Sequence, residues 1–368
     1  MEKPRFVETG SGSFFGDYLY EQVVPAQHFL RELKKSIEWE RFTRKLIRLY
    51  KGGGVVGRPP FDPALVLKVE LIAYLYNLTE RQVEVYINEN LPAKYFVGLA
   101  VDQKAPDHST LTVFRERLVQ RGKLKVFEEM LEEIVQMALQ RGIQFGSIQI
   151  VDSVHSVADV NTDKDQKRQN KRKEPRDPDA RWGVKHKRKV KNEAGKEEEQ
   201  VQYFYGYKAH VSLNAANHLI TSLECTSGEV YDGHHFTSLV DHDLEQKLPV
   251  ETYTADKAYD DGENHYNLEV RGLHSAIRLK KTRLEKKDDN KQVWLDLRQT
   301  PQYQQGLKER YKVERKFGEA KQGHGFGRCR YLGRMGFAVQ AFFTAIMLNL
   351  KRMVRLLAGV GFKTQTEA

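Results

Sequence analysis

Two short runs in this chain end the same way. Ile148-Gln149-Ile150-Val151-Asp152 and Thr252-Tyr253-Thr254-Ala255-Asp256 are each β-prone stretches closed by an aspartate. Each reads as a buried strand whose acid stands where the chain leaves the core. A single carboxylate there is ordinarily a turn or cap residue. Two of them constrain the fold, because they carry chemistry only if the two strands lie side by side.

The pattern before the first run is helical. Pro25 to Tyr50 carries apolar residues at helical spacing up to the Gly52-Gly53-Gly54 break. Pro63 opens a second helix over Ala64 to Tyr76, and Thr79 with Gln82 forms a capping box for a third, Glu80 to Asn88. Asp107 caps a fourth, Thr110 to Arg121, whose exposed side is expected to offer Arg115, Arg117 and Arg121. A long helix, Lys123 to Arg141, follows. Short helices with a basic last member suit a helix-turn-helix-like DNA reader, and equally an ordinary bundle with solvated charges. Residues 1–145 are therefore expected to form an all-α domain.

Beyond Gly146 the period changes. Asp163 to Gln200 is rich in Lys and Arg and poor in apolar residues, which predicts a basic mobile loop. Gln202 to Leu213, His218 to Cys225, Val250 to Ala255 and Ser275 to Leu279 read as further strands. Helices are expected at Gly233–Leu244 and Asp260–Arg271, and at Tyr303–Gln322 after a charged connector, Lys280 to Thr300. Three antiparallel strands followed by helix, strand, helix, strand and helix is the order of an RNase H-like α/β core, a five-stranded mixed sheet flanked by helices. That core is expected over residues 146–357, with a tail at 358–368.

The balance of 60 Lys and Arg against 50 Asp and Glu gives a net charge of +10, and the pI is near 9.3. Such an excess favours an anionic partner, nucleic acid first. Cys225 and Cys329 show neither CxxC spacing nor a disulfide framework, which suggests a reducing cytosol. The N-terminus leads into no apolar stretch of signal-peptide type, and the apolar run Phe337 to Leu350 is shorter than a bilayer span. A cytoplasmic chain without membrane attachment is the expectation.

If the strands ending at Asp152 and Asp256 are neighbours, their carboxylates repel and raise each other's pKa unless a cation lies between them. Hard divalent ions such as Mg²⁺ favour that all-oxygen setting. A wheel of Leu307 to Lys321 places Lys308, Glu309, Lys312, Arg315, Lys316 and Glu319 on a solvated half. Arg310, Glu314 and Lys321 fall in the arc of Leu307, Val313, Phe317 and Ala320. Charges on a core-facing stripe are costly unless paired or functional, which makes Glu314 the candidate third acid.

These pieces resemble a bacterial insertion-sequence transposase of the DDE, RNase H-like class. The matching stretches are Ile150-Val151-Asp152-Ser153, Phe204-Tyr205-Gly206-Tyr207-Lys208-Ala209-His210, Ala255-Asp256-Lys257-Ala258-Tyr259-Asp260 and the signature helix. That helix carries Arg310, Glu314 four residues on and Lys321 seven beyond. The N-terminal motifs around Gly57-Arg58-Pro59-Pro60-Phe61 and Asp107-His108-Ser109-Thr110 extend the resemblance over nearly the whole chain. The resemblance implies that Asp152, Asp256 and Glu314 hold two Mg²⁺ ions roughly 3.5–4 Å apart, with Mn²⁺ a substitute. It implies Arg310 and Lys321 on phosphates, and a double-stranded DNA partner engaged by a homodimer. The signature's tyrosine, three residues before the arginine, is Leu307 here, so its task would pass to Tyr303 or Tyr311. A hydrolysis-only nuclease of the same fold and an inactive DNA-binding regulator are the competing readings.

Overall fold

The computed structural model describes residues 5–10, 14–191, 197–285 and 291–362. The chain divides into two compact units, Met1–Ile143 with Phe342–Ala368, and Gln144–Ala341.

The first unit is helical: α1 (Phe14–Val23), α2 (Phe29–Ser36), α3 (Glu40–Leu46), α4 (Pro63–Leu75), α5 (Glu80–Glu89), α6 (Leu91–Val97), α7 (His108–Arg117) and α8 (Lys123–Gln140). The helix expected across Pro25–Tyr50 is two, because Ile37 turns to an extended conformation between α2 and α3. Both hydrogen bonds of the Thr79–Gln82 capping box are made at the start of α5. Every residue of α4 is buried, including Lys68 and Glu70, so this helix forms the centre of the unit. The basic helix differs from expectation in one respect. Arg115 is not offered to solvent: its guanidinium bridges Glu70 at 3.2 Å and Glu80. Arg117 lies over the Tyr50 ring, and Arg121 donates to the Leu49 carbonyl.

The second unit is built on one sheet. Its elements are β1 (Ile148–Val157), α9 (Thr162–Gln169), β2 (Arg181–Lys191), β3 (Glu197–Asn214), β4 (Ile220–Ser227), α10 (Phe236–Glu245), β5 (Thr252–Ala255), α11 (Gly262–Glu269), β6 (His274–Ile277), α12 (Lys281–Glu285), α13 (Lys291–Gln299), α14 (Pro301–Glu309), α15 (Tyr311–His324) and, as far as Ala341, α16 (Gly333–Ala358), whose remaining residues count with the first unit. β3 is antiparallel to β1, β2 and β4, and β1, β5 and β6 run parallel. The five expected strands are all present, in the order β4-β3-β1-β5-β6, and the fold is the mixed α/β sheet anticipated from the sequence.

The sixth strand is a correction. The segment expected to be a mobile loop carries α9 and β2, with residues 192–196 outside the described part. A strand at a sheet edge needs backbone partners more than apolar side chains. The first half of β3 supplies them, with Lys189 opposite Glu199 and Lys191 opposite Glu197 in the register. The composition argument weighed the basic run without the acidic run that pairs with it.

α14 lies directly on the parallel half of the sheet. A Cβ at Gly306 would stand 2.4 Å from the Cβ of Ala276 on β6 and 3.3 Å from that of Thr254 on β5. Glycine is needed there for the close approach. α16 is longer than its apolar run suggested, and by length and composition it could cross a membrane; instead, 89% of its most apolar window is buried. Within it, Gln340 accepts from the Arg330 amide and donates to the Arg328 carbonyl, so its polar group is satisfied in the core.

Candidate active site

β1 and β5 pair in register up to Val151 and Ala255, so Asp152 and Asp256 are the next residues on two adjacent parallel strands. Sheet geometry explains why they meet: neighbouring strands lie about 4.8 Å apart. Asp152 accepts from the Ser153 amide at 2.8 Å, and Asp256 caps the short turn Lys257–Tyr259 by accepting from the Ala258 amide. Burial pushes the Asp152 carboxyl up to about 7. The Ser153 amide and the Arg310 guanidinium act against that rise, and the charges of Asp256 and Asp232 add to it.

Asp232 also belongs to this neighbourhood. Its carboxylate takes a hydrogen bond from Lys208 Nζ at 2.8 Å and stands 3.9 Å from His210 Nδ1. His210 is fully buried on β3, bonded through Nε2 to Thr226 and stacked on His235, which meets Glu224 at 2.5 Å. Burial lowers the His210 pKa to about 4, with His235 adding to the fall. Tyr259, also buried, is pushed well above its ordinary value by burial and by Asp152, Asp232 and Asp256. Lys208, His210 and Tyr259 lie inside the stretches that resemble the transposases, yet nothing local to those residues shows that they surround Asp232.

The signature segment is two helices meeting at Arg310, where the Val313 amide bonds to the Arg310 carbonyl in a tight turn. The buried face of α15 is Val313, Lys316, Ala320 and His324. The wheel misplaced two residues. Lys316 is buried and bonded to Glu319 at 3.1 Å, whereas Glu314 is exposed. A lysine stem can cover apolar surface, so the face centres nearer Ala320 and His324. Glu314, roughly 100° from Val313 around the axis, moves to its rim. Arg310 and Lys321 are both half-buried. Arg310 Nε is buried with no hydrogen bond among the described residues, and burial, then Lys185, holds the Lys321 ammonium below its usual range. Of the two tyrosines, Tyr303 is buried with its hydroxyl taking the Leu279 amide, and Tyr311 is exposed beneath Arg315.

Two adjacent carboxylates, one held partly protonated by its surroundings, suit a hard divalent cation that would relieve their repulsion. The fit covers the two aspartates. Among the described residues no group of three or more His, Cys, Asp or Glu stands close enough to hold a metal ion, so Glu314 does not join them in this arrangement.

An RNase H-like sheet with two aspartates just past the last paired residues of adjacent parallel strands, Asp152 within β1 and Asp256 after β5, defines the class of DDE nucleic-acid-processing enzymes. The family described as Transposase DDE domain matches residues 144–350, and the one described as Transposase domain (DUF772) matches residues 18–117. The chain belongs to the DDE transposases, as an insertion-sequence type. Enzymes of this family process DNA, typically with divalent metal ions. No solved structure matches the chain.

Proposed function

We propose that the chain cuts transposon-end DNA and joins the 3′ ends to target DNA, acting as a cytoplasmic homodimer on the DNA. The observation that carries this is the placement of Asp152 and Asp256 on neighbouring strands, with Arg310 against Asp152. Asp152, Asp256 and, from the rim of α15, Glu314 are the ligands for Mg²⁺, with Mn²⁺ as substitute. When bound, the two ions would activate the attacking oxygen and stabilise the leaving one in an in-line displacement.

The protein's own part is positional and electrostatic. Asp152, on the central strand, fixes the centre of the site. Arg310 and Lys321 flank it as phosphate ligands, because a half-buried guanidinium or ammonium binds an anion in a medium where attraction is strong. Arg117 and Arg121 contact DNA from the helical unit; Arg115, held by two carboxylates, does not.

Labelled end DNA, target plasmid and Mg²⁺ test the reading. Joined product is expected from the wild type, and Asp152→Asn should abolish cutting and joining while retaining end binding. Glu314→Gln should behave the same way. Cut product alone would indicate a hydrolytic nuclease, a shifted band alone a DNA-binding regulator. Wild-type cleavage by Asp152→Asn would remove Asp152 from the chemistry.

A further inference from the structure

A large cleft opens beside Asp256, bounded by the end of β5, the segment from β6 into α12, and α14, with a volume of about 1340 Å³. Small-molecule pockets typically hold about 300–1,000 Å³, so the space suits a stretch of polymer. Its floor is apolar, made by Leu279, Leu284, Tyr303 and Leu307. Its walls carry Lys257, Arg278, Lys281 and Arg298, all exposed and, among the described residues, paired with no carboxylate. The one acid lining it is Asp256.

The wall is firmly built. Asp260, fully buried, accepts from the Lys280 amide at 2.7 Å, from Arg283 Nε at 2.8 Å, and contacts His265 at 3.0 Å. Arg283 also lies over the Trp294 ring at 4.4 Å, tying α12 to α13. Asp260 therefore holds the segment from β6 into α12 in place, while Asp261 caps α11. Lys280, by contrast with the four free cations, gives its ammonium to the Asp260 carbonyl.

We infer that this cleft takes a single strand of the substrate DNA, its phosphates on Lys257, Arg278, Lys281 and Arg298 and its bases against the apolar floor. The choice of DNA rests on the transposase reading of the adjoining acids. The choice of an unpaired strand rests on the cleft itself. A duplex presents phosphates outward and stacks its bases inside, so it meets cations but has no use for an apolar floor; an unpaired strand uses both. The exposed Tyr231 ring at the rim adds a stacking surface.

Fluorescence anisotropy in EDTA, with a labelled single-stranded oligonucleotide and a duplex of the same length, reads the cleft without any chemistry. Arg278→Ala with Arg298→Ala should weaken single-strand binding at least about tenfold and reduce the slope of log K against log salt by about 1.4, at roughly 0.7 per contact. Leu284→Ser should weaken it about fivefold at an unchanged slope, as loss of apolar contact with the bases predicts. Arg278→Gln with Arg298→Gln, which keeps much of the side-chain bulk and removes the charge, should lower the slope by the same amount and serves if the alanine pair fails to fold. An unchanged slope in the alanine pair, or equal losses for duplex and single strand, overturns the inference. A protein that joins DNA yet binds single strands independently of these residues refutes the cleft alone. One that binds single strands through the cleft but never cuts or joins refutes the transposition reading alone.

Discussion

Replacing Arg115 by alanine separates a structural arginine from a DNA-contacting one. Its guanidinium sits between Glu70, whose side chain is 1% exposed, and Glu80, and is itself 11% exposed. Removing it takes the Arg115 charge away from the Glu70 carboxylate buried in α4. Breaking a buried pair from one side costs about 3–5 kcal/mol, a large part of the roughly 5–15 kcal/mol that holds a domain together. Glu70→Gln with Arg115→Met removes both charges and keeps the volume, so most of that loss should be recovered. Urea denaturation of the wild type, both single variants and the pair gives the coupling directly. The folded double variant then answers the functional question. If Arg115 is structural, the salt slope for duplex DNA is unchanged; a phosphate contact would lower it by about 0.9. An Arg115→Ala protein within 1 kcal/mol of wild type, or a lowered slope in the pair, refutes the assignment.

Gly306→Ala should destabilise the second unit by about 1–3 kcal/mol through overpacking against Ala276, and Ala276→Gly in the same chain should restore much of it in thermal melts. His210 is held neutral by burial, its pKa about 4 against an ordinary 6.5. The unfolded chain therefore binds more protons between those values, and stability falls as pH drops from about 6.5 to about 4. The loss reaches at most about 3 kcal/mol. His210→Gln should flatten the melting temperature across that window relative to wild type; an unchanged profile would place the acid sensitivity elsewhere.

What could be read beforehand was whatever depends on neighbours in the chain. The two runs ending in Asp152 and Asp256 declare their strands locally, and the order of elements then forces them together. Partnerships across the sheet were not legible. Nothing in the residues around Asp232 shows that Lys208 and His210, on β3, stand beside it. Arg115 looks solvent-facing because Glu70 is 45 residues away. The basic stretch at 163–200 looked unable to order because a ladder partner adds nothing to hydropathy. Glu314 was expected on the core-facing arc and is exposed instead, because a side chain on the rim of a buried face shifts between core and solvent with a small rotation.

Helix α16 has a consequence for how the protein is made. Its residues up to Ala341 count with the sheet, and those from Phe342 onward with the N-terminal helices, where Phe342 and Phe343 pack on Phe127 and Tyr74. The helical unit thus lacks aromatic core residues until the sheet between its two segments has been translated. Domains ordinarily fold in the order of synthesis; here the helical unit is completed only after the sheet. A product stopped after the sheet would carry the paired aspartates without a finished helical unit.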